Sequence, residues 1–423
     1  MLDIKFIREH TDTVKLACEV KGIEDHTSAI LDLDKRVREL KTLTETKTAE
    51  KNKLTKQIPT AANKAELVEE SKKIGLEIES EMKELADKES VLNDLLLKVP
   101  QIPKKETPLG PDDSFNVVTK QVGTPKKFDF TPRPHWEIMD INHWWLPEKI
   151  SEICGTRTYC LMGEAAELDL AVQTYVLQKL MKKGFTFVQV PAITKTQAIF
   201  DAGHFRGSDT SVMKNDVFML SDTDRCLAGT AEIILNSLHK DEILDEKDLP
   251  RMYAGFSPCF RKGAGAAGRD TRGLVRFYEF NKVEQYVYCT LEKMDEMHQF
   301  ILSNLCEVME DFEVPYQVIA NSTGDMGFNK VEMHDVEAWF PNENKYREVG
   351  SCSSIGEFQA RRTNTRYRAS DGTVKFCATL NNTGIALPRA LVPILENHQN
   401  ADGSVNIPRA LQPLMGGRTK IGK

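Results

Sequence analysis

From Ile30, apolar side chains recur at Leu33, Val37 and Leu40 and resume at Leu54 and Ile58, with polar Thr44, Lys47 and Lys51 in the positions between. This three-four rhythm is a helical seam with a polar middle. After "PTAAN" (Pro59 to Asn63) a second series runs through Leu67, Ile74, Ile78, Leu85, Leu92, Leu95 and Val99, until "VPQIP" stops it. Two long helices joined by a short turn make an antiparallel hairpin. Each arm of about 30 residues spans on the order of 45 Å at about 1.5 Å per residue, too long for the core of a compact domain. Periodicity leaves two uses open: an oligomerisation coiled coil, or an arm that grips a large partner. The first helix carries a basic excess (Lys35, Arg36, Arg38, Lys41, Lys47, Lys51, Lys53, Lys56), which suits either a solvated face or a binding surface.

A stretch rich in Pro, Lys and Asp, "PQIPKKETPLGPDDSFNVVTKQVGTPKKFDFTPRP", separates the hairpin from the rest and reads as a linker. The boundary is placed at residues 1–105 for the helical arm and 106–423 for the second domain. Beyond it, a helix is expected near Ala166 to Lys183, then a strand in "GFTFVQVPAI" that stops at Pro191. Further strands are expected at "DVFMLS", "RMYAGFSPCF", "LVRFYEFNKVEQYVY", "TRYRA" and "TVKFCATL", and helices at "TLEKMDEMHQFILSNLCEVMEDF" and "ALVPILENHQ". Strands grouped without regular βαβ alternation imply an α+β fold built on an antiparallel sheet with flanking helices. No P-loop occurs, and the GxGxxG spelled by Gly263 to Gly268 leads into an expected strand rather than opening a helix, so it is not a dinucleotide-binding turn.

Charge and composition narrow the function classes. A net charge of -7 excludes a polybasic coat, so any nucleic-acid contact is local and no DNA partner is expected. No run of about 18 apolar residues and no signal peptide are evident, so a cytoplasmic protein without a membrane partner is expected. Nine scattered cysteines without a CxxC motif suggest neither a disulfide framework nor a zinc site.

The chemistry concentrates in "FRKGAGAAGRDTRGLVRF" (Phe260 to Phe277), where Arg261, Lys262, Arg269, Arg272 and Arg276 surround Gly263, Gly265, Gly268 and Gly273. Glycines allow close backbone approach, and arginine forks fit phosphates or carboxylates, so the partner is anionic. The stretch reads as a hairpin loop whose returning strand presents Arg276, Tyr278, Phe280, Lys282 and Glu284 on one face. Two further clusters are "YREVGSCSS", with Glu348 and Ser351, and "ATLNNTGIALPRALVPILENHQ", with Asn381, Thr383 and Arg389. Arginines for phosphates, a carboxylate and hydroxyl for Mg2+, and an aromatic to stack a base together suit a nucleotide.

Taken in order, these segments resemble the class II aminoacyl-tRNA synthetases. The segment ending at Pro191 is similar to motif 1, the arginine hairpin to motif 2, and "TLNNTGIALPRALVPILENHQ" to motif 3. Within the class, "GTAEIIL", "PCFRKGAGAAGRDTRGL", "FNKVEQY", "YREVGSCSS", "FQARRTNTRYR" and "IPRALQPLMGG" follow the seryl-tRNA synthetase family, and the resemblance covers essentially the whole chain. It implies activation of L-serine by ATP with Mg2+, then transfer to the 3' end of tRNA(Ser), with tRNA(Sec) as a further acceptor known in the family. It also implies that the N-terminal arm grips tRNA and that the chain is a homodimer built on the motif 1 helix and strand.

Carried over by position, the resemblance assigns Thr230, Ala231, Glu232, Arg261, Glu284, Asn381 and Thr383 to serine. ATP falls to Arg261, Lys262, Gly263, Arg276, Phe280, Glu348, Val349, Gly350, Ser351 and Arg389. Mg2+ falls to Glu348 and Ser351, and catalysis to Arg261, Arg389 and Glu348. The chain departs from the family where Glu usually stands two residues after the motif 2 arginine and Gly263 stands here, in the loop of residues 201–218, and at "RFYEF". A paralogue that binds tRNA without forming adenylate is the alternative reading.

Overall fold

The computed structural model describes residues 1–207, 209–262 and 273–423, and Gly263, Arg269 and Arg272 lie outside the described residues. The chain divides into two compact units, with Met1–Pro100 in the first and Gln101–Phe205 and Asp209–Lys423 in the second.

The first unit is helical: α1 (Ile4–Glu9), α2 (Thr11–Val20), α3 (Thr27–Gln57) and α4 (Lys64–Leu96). Helices α3 and α4, of 31 and 33 residues, are the expected hairpin. Ile30, Val37 and Leu40 of α3 and Ile74, Leu92 and Leu96 of α4 are buried. The polar middle has a specific cause. Lys47 donates to Glu77 Oε2 at 2.8 Å and Glu81 Oε1 at 2.5 Å, so the seam closes through charge where apolar residues lapse. Arg36 forks onto both oxygens of Glu84 at 2.9 Å, and Lys41 reaches Glu89 at 2.7 Å. A shift of one turn would break all three contacts, so the ladder fixes register more than it adds stability, since exposed pairs are individually weak. The ladder also uses part of the basic excess inside the hairpin, leaving Lys35, Lys53 and Lys56 on its exposed surface.

The second unit is built on an eight-stranded sheet. In chain order its strands are β1 (Val117–Val122), β2 (Thr186–Gln189), β3 (Arg251–Phe260), β4 (Glu279–Cys289), β5 (Tyr316–Ala320), β6 (Glu332–Phe340), β7 (Lys345–Gly356) and β8 (Ala378–Leu387). Across the sheet they run β1-β5-β6-β7-β8-β4-β3-β2. Every pairing is antiparallel except β2 with β3, which is parallel. The α+β architecture expected from sequence is therefore present.

One sheet face carries the main core, where helices α5 (Gly163–Lys182) and α7 (Met294–Asp311) pack Leu168, Val172, Val176, Ile301 and Leu305 against Val283, Val287, Val336 and Ile385. The opposite face carries a smaller core of Ala231, Leu235, Tyr286, Tyr288 and Tyr367, and beside it the cavity described below.

Three expectations change. The supposed linker supplies β1, which pairs with β5 as the sheet edge. "DVFMLS" makes only an isolated bridge, Met219 with Cys226. The strand returning from the arginine loop starts at Glu279, so Arg276 and Tyr278 precede it.

Candidate active site

Four central strands carry the site, and their register decides which side chains meet. On β4, Phe280, Lys282 and Glu284 alternate onto one face. Thr383 of β8 lies directly across from Glu284, and Asn381 of β8 lies across from Ser353 of β7. Glu348 and Ser351 are three apart and would face opposite ways on a regular strand. An extra residue, Val349, between the pairs Glu348–Glu337 and Gly350–Val336 is a β-bulge that returns Ser351 to the face of Glu348. Val349 itself turns into the main core, 2% exposed. Gly350 is fixed by space: a Cβ there would lie 2.5 Å from Leu305 Cδ2 and 2.9 Å from Thr383 Cβ.

These residues line one cavity of about 820 Å3. One end is buried and mixed in charge. Glu284 is 1% exposed and paired with the Lys282 ammonium. Burial pushes the Glu284 carboxyl above the usual carboxylate range; the Lys282 charge opposes this and the Glu232 charge adds to it. Glu232 enters from α6 (Glu232–Leu235), whose first turn is held by Thr230 Oγ1 accepting from the Glu232 N–H at 3.2 Å. Its carboxylate is set from behind: Gln359 Nε2 donates to Glu232 Oε1 at 2.8 Å, while Tyr286 and Thr379 hydroxyls fix Gln359 Oε1 at 2.8 and 2.7 Å. His204 Nε2 lies 3.6 Å from Glu232 Oε2. Among the described residues Asn381 Oδ1 is buried without a hydrogen-bond partner, as suits an acceptor for a ligand.

The other end is cationic. Arg389 donates through Nε to the Val275 carbonyl at 3.1 Å and through Nη1 to the Glu348 carbonyl at 3.2 Å, with the Glu348 carboxylate 3.6 Å away. Burial lowers its pKa, Glu348 opposes that, and Arg347, Arg261 and Arg276 lower it further, so the arginines sense one another. Such a crowd of like charges is the arrangement expected for a polyanion. Arg261 lies over the Phe280 ring, 5.3 Å from its centroid, and donates Nε to the Gly229 carbonyl at 3.2 Å. Beside this end, Asp335 of β6 faces Ser351 across the ladder. Burial, reinforced by the Glu348 charge, pushes its carboxyl up to about 7.

Of the residues singled out from sequence, Thr230, Glu232, Arg261, Arg276, Phe280, Glu284, Glu348, Val349, Gly350, Ser351, Asn381, Thr383 and Arg389 all line this cavity. Ala231 does not. It packs in the smaller core, where a Cβ on Gly255 would sit 3.1 Å from its own. Lys262 also lies off the wall, its side chain exposed and its N–H donated to the Asp216 carbonyl at 3.1 Å. Sequence reasoning missed His204, Asp335 and the supporting Gln359. Asp335 sits on a strand that was not recognised, and the other two reach the site only through tertiary contact.

The mostly antiparallel sheet, with an arginine-rich end and a buried acidic end to its cavity, is that of a class II aminoacyl-tRNA synthetase core, and the family model "tRNA synthetase class II core domain (G, H, P, S and T)" matches residues 218–398. A second family model, "Seryl-tRNA synthetase N-terminal domain", matches residues 1–103. The chain belongs to the seryl-tRNA synthetase family. It is 43% identical to the serine--tRNA ligase of Deinococcus radiodurans, covering 100% of this chain and 99% of that one, and 37% identical to that of Symbiobacterium thermophilum, covering 98% of each. The crystal structure of seryl-tRNA synthetase from Pyrococcus horikoshii complexed with ATP superposes with a TM-score of 0.92 at 33% identity, covering 100% of this chain and 99% of that one.

Proposed function

We propose that this chain condenses L-serine with ATP to seryl-adenylate and transfers the seryl group to the 3' end of tRNA(Ser). The observation that carries the reading is the polarity of the cavity: a buried Glu284–Lys282 pair facing Glu232 at one end, and Arg261, Arg276 and Arg389 at the other.

Serine fits the acidic end. Glu232 would take the α-ammonium, and Glu284, beside Thr383 and Asn381, would accept from the side-chain hydroxyl. The carboxylate would then point to Arg261. Phe280 would stack the adenine, and Arg276 and Arg389 would bind phosphate oxygens, with the Val349–Gly350 backbone closing the wall. In the first step a serine carboxylate oxygen attacks the α-phosphorus and pyrophosphate leaves. In the second, the terminal tRNA hydroxyl attacks the carbonyl carbon and AMP leaves. Both steps need positioned charge more than a strong base, which is what the arginines supply.

Glu348 and Ser351, with Asp335 beside them, fit a divalent cation. Among the described residues Asp335 Oδ1 is buried without a hydrogen-bond partner, and two neighbouring carboxylates raise one another's cost of ionisation. Mg2+ held there would neutralise phosphate charge. The described N-terminal residues fit the tRNA role: a register-locked hairpin with Lys35, Lys53 and Lys56 exposed suits backbone and shape recognition. A homodimer is supported by apolar exposure on the motif 1 segment, at Leu170 of α5 (64%) and Phe187 of β2 (42%). Among the described residues no helix is long and apolar enough to cross a membrane. All nine cysteines are free, which fits the reducing cytoplasm.

The test is charging of a tRNA(Ser) transcript with labelled serine, by the full chain and by a chain lacking residues 30–98. Charging by the full chain alone is expected. Equal charging by both would remove the arm from tRNA recognition, and adenylate formation without charging would confine the activity to the first step.

A further inference from the structure

On the helix-covered face of the sheet, away from the cavity, two histidines and a glutamate converge that the reaction does not use. Glu332 and His334 are two apart on β6 and so share a face, and His298 of α7 packs against them. One nitrogen or oxygen from each lies within 4.8 Å of those of the others.

His298 is fully buried, with Nδ1 2.8 Å from Ser354 Oγ and Nε2 2.9 Å from His334 Nδ1. A proton on Nδ1, donated to Ser354 Oγ, leaves the Nε2 lone pair facing His334. That is the usual arrangement of a ligating imidazole, whose far nitrogen donates to an acceptor that orients the ring. Two ligand atoms about 2.0–2.1 Å from a tetrahedral ion are roughly 3.3 Å apart, so the two nitrogens need to separate only slightly to admit one. Lys104 Nζ holds Glu332 Oε2 and Asp295 Oδ1, each at 2.7 Å, and Oε2 lies 3.9 Å from His298 Nδ1, so Oε1 is the oxygen that would turn toward the two facing histidine nitrogens to ligate. Cys352 Sγ lies 3.9 Å from His298 Nδ1, on the far side of the ring from the ligating nitrogen.

We propose that His298, Glu332 and His334 bind a transition-metal dication of the Zn2+ class. Two imidazoles select such ions over Mg2+, which takes oxygen ligands. The ion would tie α7 to β6 directly behind Asp335, and so stiffen the strand that carries it. Sequence spacing gave no hint of a zinc site, because the two histidines are far apart in the chain.

The test uses the full chain stripped with a chelator and titrated with Co2+ in the absence of ATP. Expected are one Co2+ per chain with the visible bands of a tetrahedral site, no thiolate charge-transfer band, displacement by Zn2+, and a rise in Tm with Zn2+. His334→Gln and Glu332→Gln should each weaken Co2+ binding at least about tenfold, the loss already found when only an outer-shell partner of a ligand is removed. Glu348→Gln should leave the tetrahedral bands and their Co2+ titration unchanged. Absence of saturable Co2+ binding by the folded wild-type chain, unchanged binding in His334→Gln, or a thiolate band would each overturn the assignment.

Discussion

Replacing Glu284 by Gln keeps volume and hydrogen-bonding capacity at the buried end of the cavity while removing the charge. A hydrogen bond from a neutral hydroxyl to a buried carboxylate contributes about 1.5–3 kcal/mol, which is about 10- to 150-fold in kcat/KM. Serine would lose this; alanine, which has no hydroxyl to donate, would not. In the wild-type chain alanine leaves Glu284 without its partner, so discrimination should narrow from the serine side. The same change leaves the Lys282 ammonium buried beside a neutral amide, and breaking a buried pair costs up to about 3–5 kcal/mol of stability. Tm must therefore be measured on the same preparation. The assay is ATP–pyrophosphate exchange with serine and with alanine on wild-type and Glu284→Gln proteins that are both folded at the assay temperature. An unchanged serine-to-alanine ratio would refute the placement of the hydroxyl at Glu284. The charge also sets a pH limb. The Glu284 pKa is raised and its ionised form is the one required, so kcat/KM for serine should fall on acidification at a higher pH than an ordinary glutamate would give. That limb should vanish in Glu284→Gln.

Other perturbations probe the remaining parts. Gly350→Ala places a Cβ against Leu305 and Thr383, and should cost about 1–3 kcal/mol in denaturant unfolding while raising KM for serine more than for ATP. Arg389→Lys keeps the charge but loses the fork that spans Val275 and Glu348, so KM for ATP should rise about tenfold or more in exchange assays; an unchanged KM would place the phosphates elsewhere. Lys47→Ala removes the link to Glu77 and Glu81, and should loosen the middle of the hairpin, read as faster amide exchange around residues 44–51, with adenylate formation intact.

Periodicity made the hairpin legible because a heptad seam is a local pattern. Its polar middle was not legible, since the pairing of Lys47 with Glu77 and Glu81 depends on the register of two helices. The same register accounts for much of the basic excess, as Arg36 and Lys41 are occupied by α4. In the sheet, the faces of β4 followed from simple alternation. The pairing of β5, β6 and β7 did not, and with it went Asp335. The bulge at Val349 is what lets Glu348 and Ser351 cooperate, and nothing in "YREVGSCSS" announces it. Most residues that line the cavity were reached through ordered motifs, and such motifs do not say which way each side chain turns: Ala231 belongs to the Thr-Ala-Glu element, and its side chain packs in the smaller core near Gly255.

Serine-dependent exchange of pyrophosphate into ATP in the presence of Mg2+, compared across serine, threonine, alanine and glycine, tests the central claim most directly. Robust exchange with serine alone is the predicted result, and it would show that the cavity forms seryl-adenylate with Gly263 in place. Folded protein that binds tRNA but supports exchange with none of the four would contradict the account and favour a chain that has kept the fold and lost the chemistry.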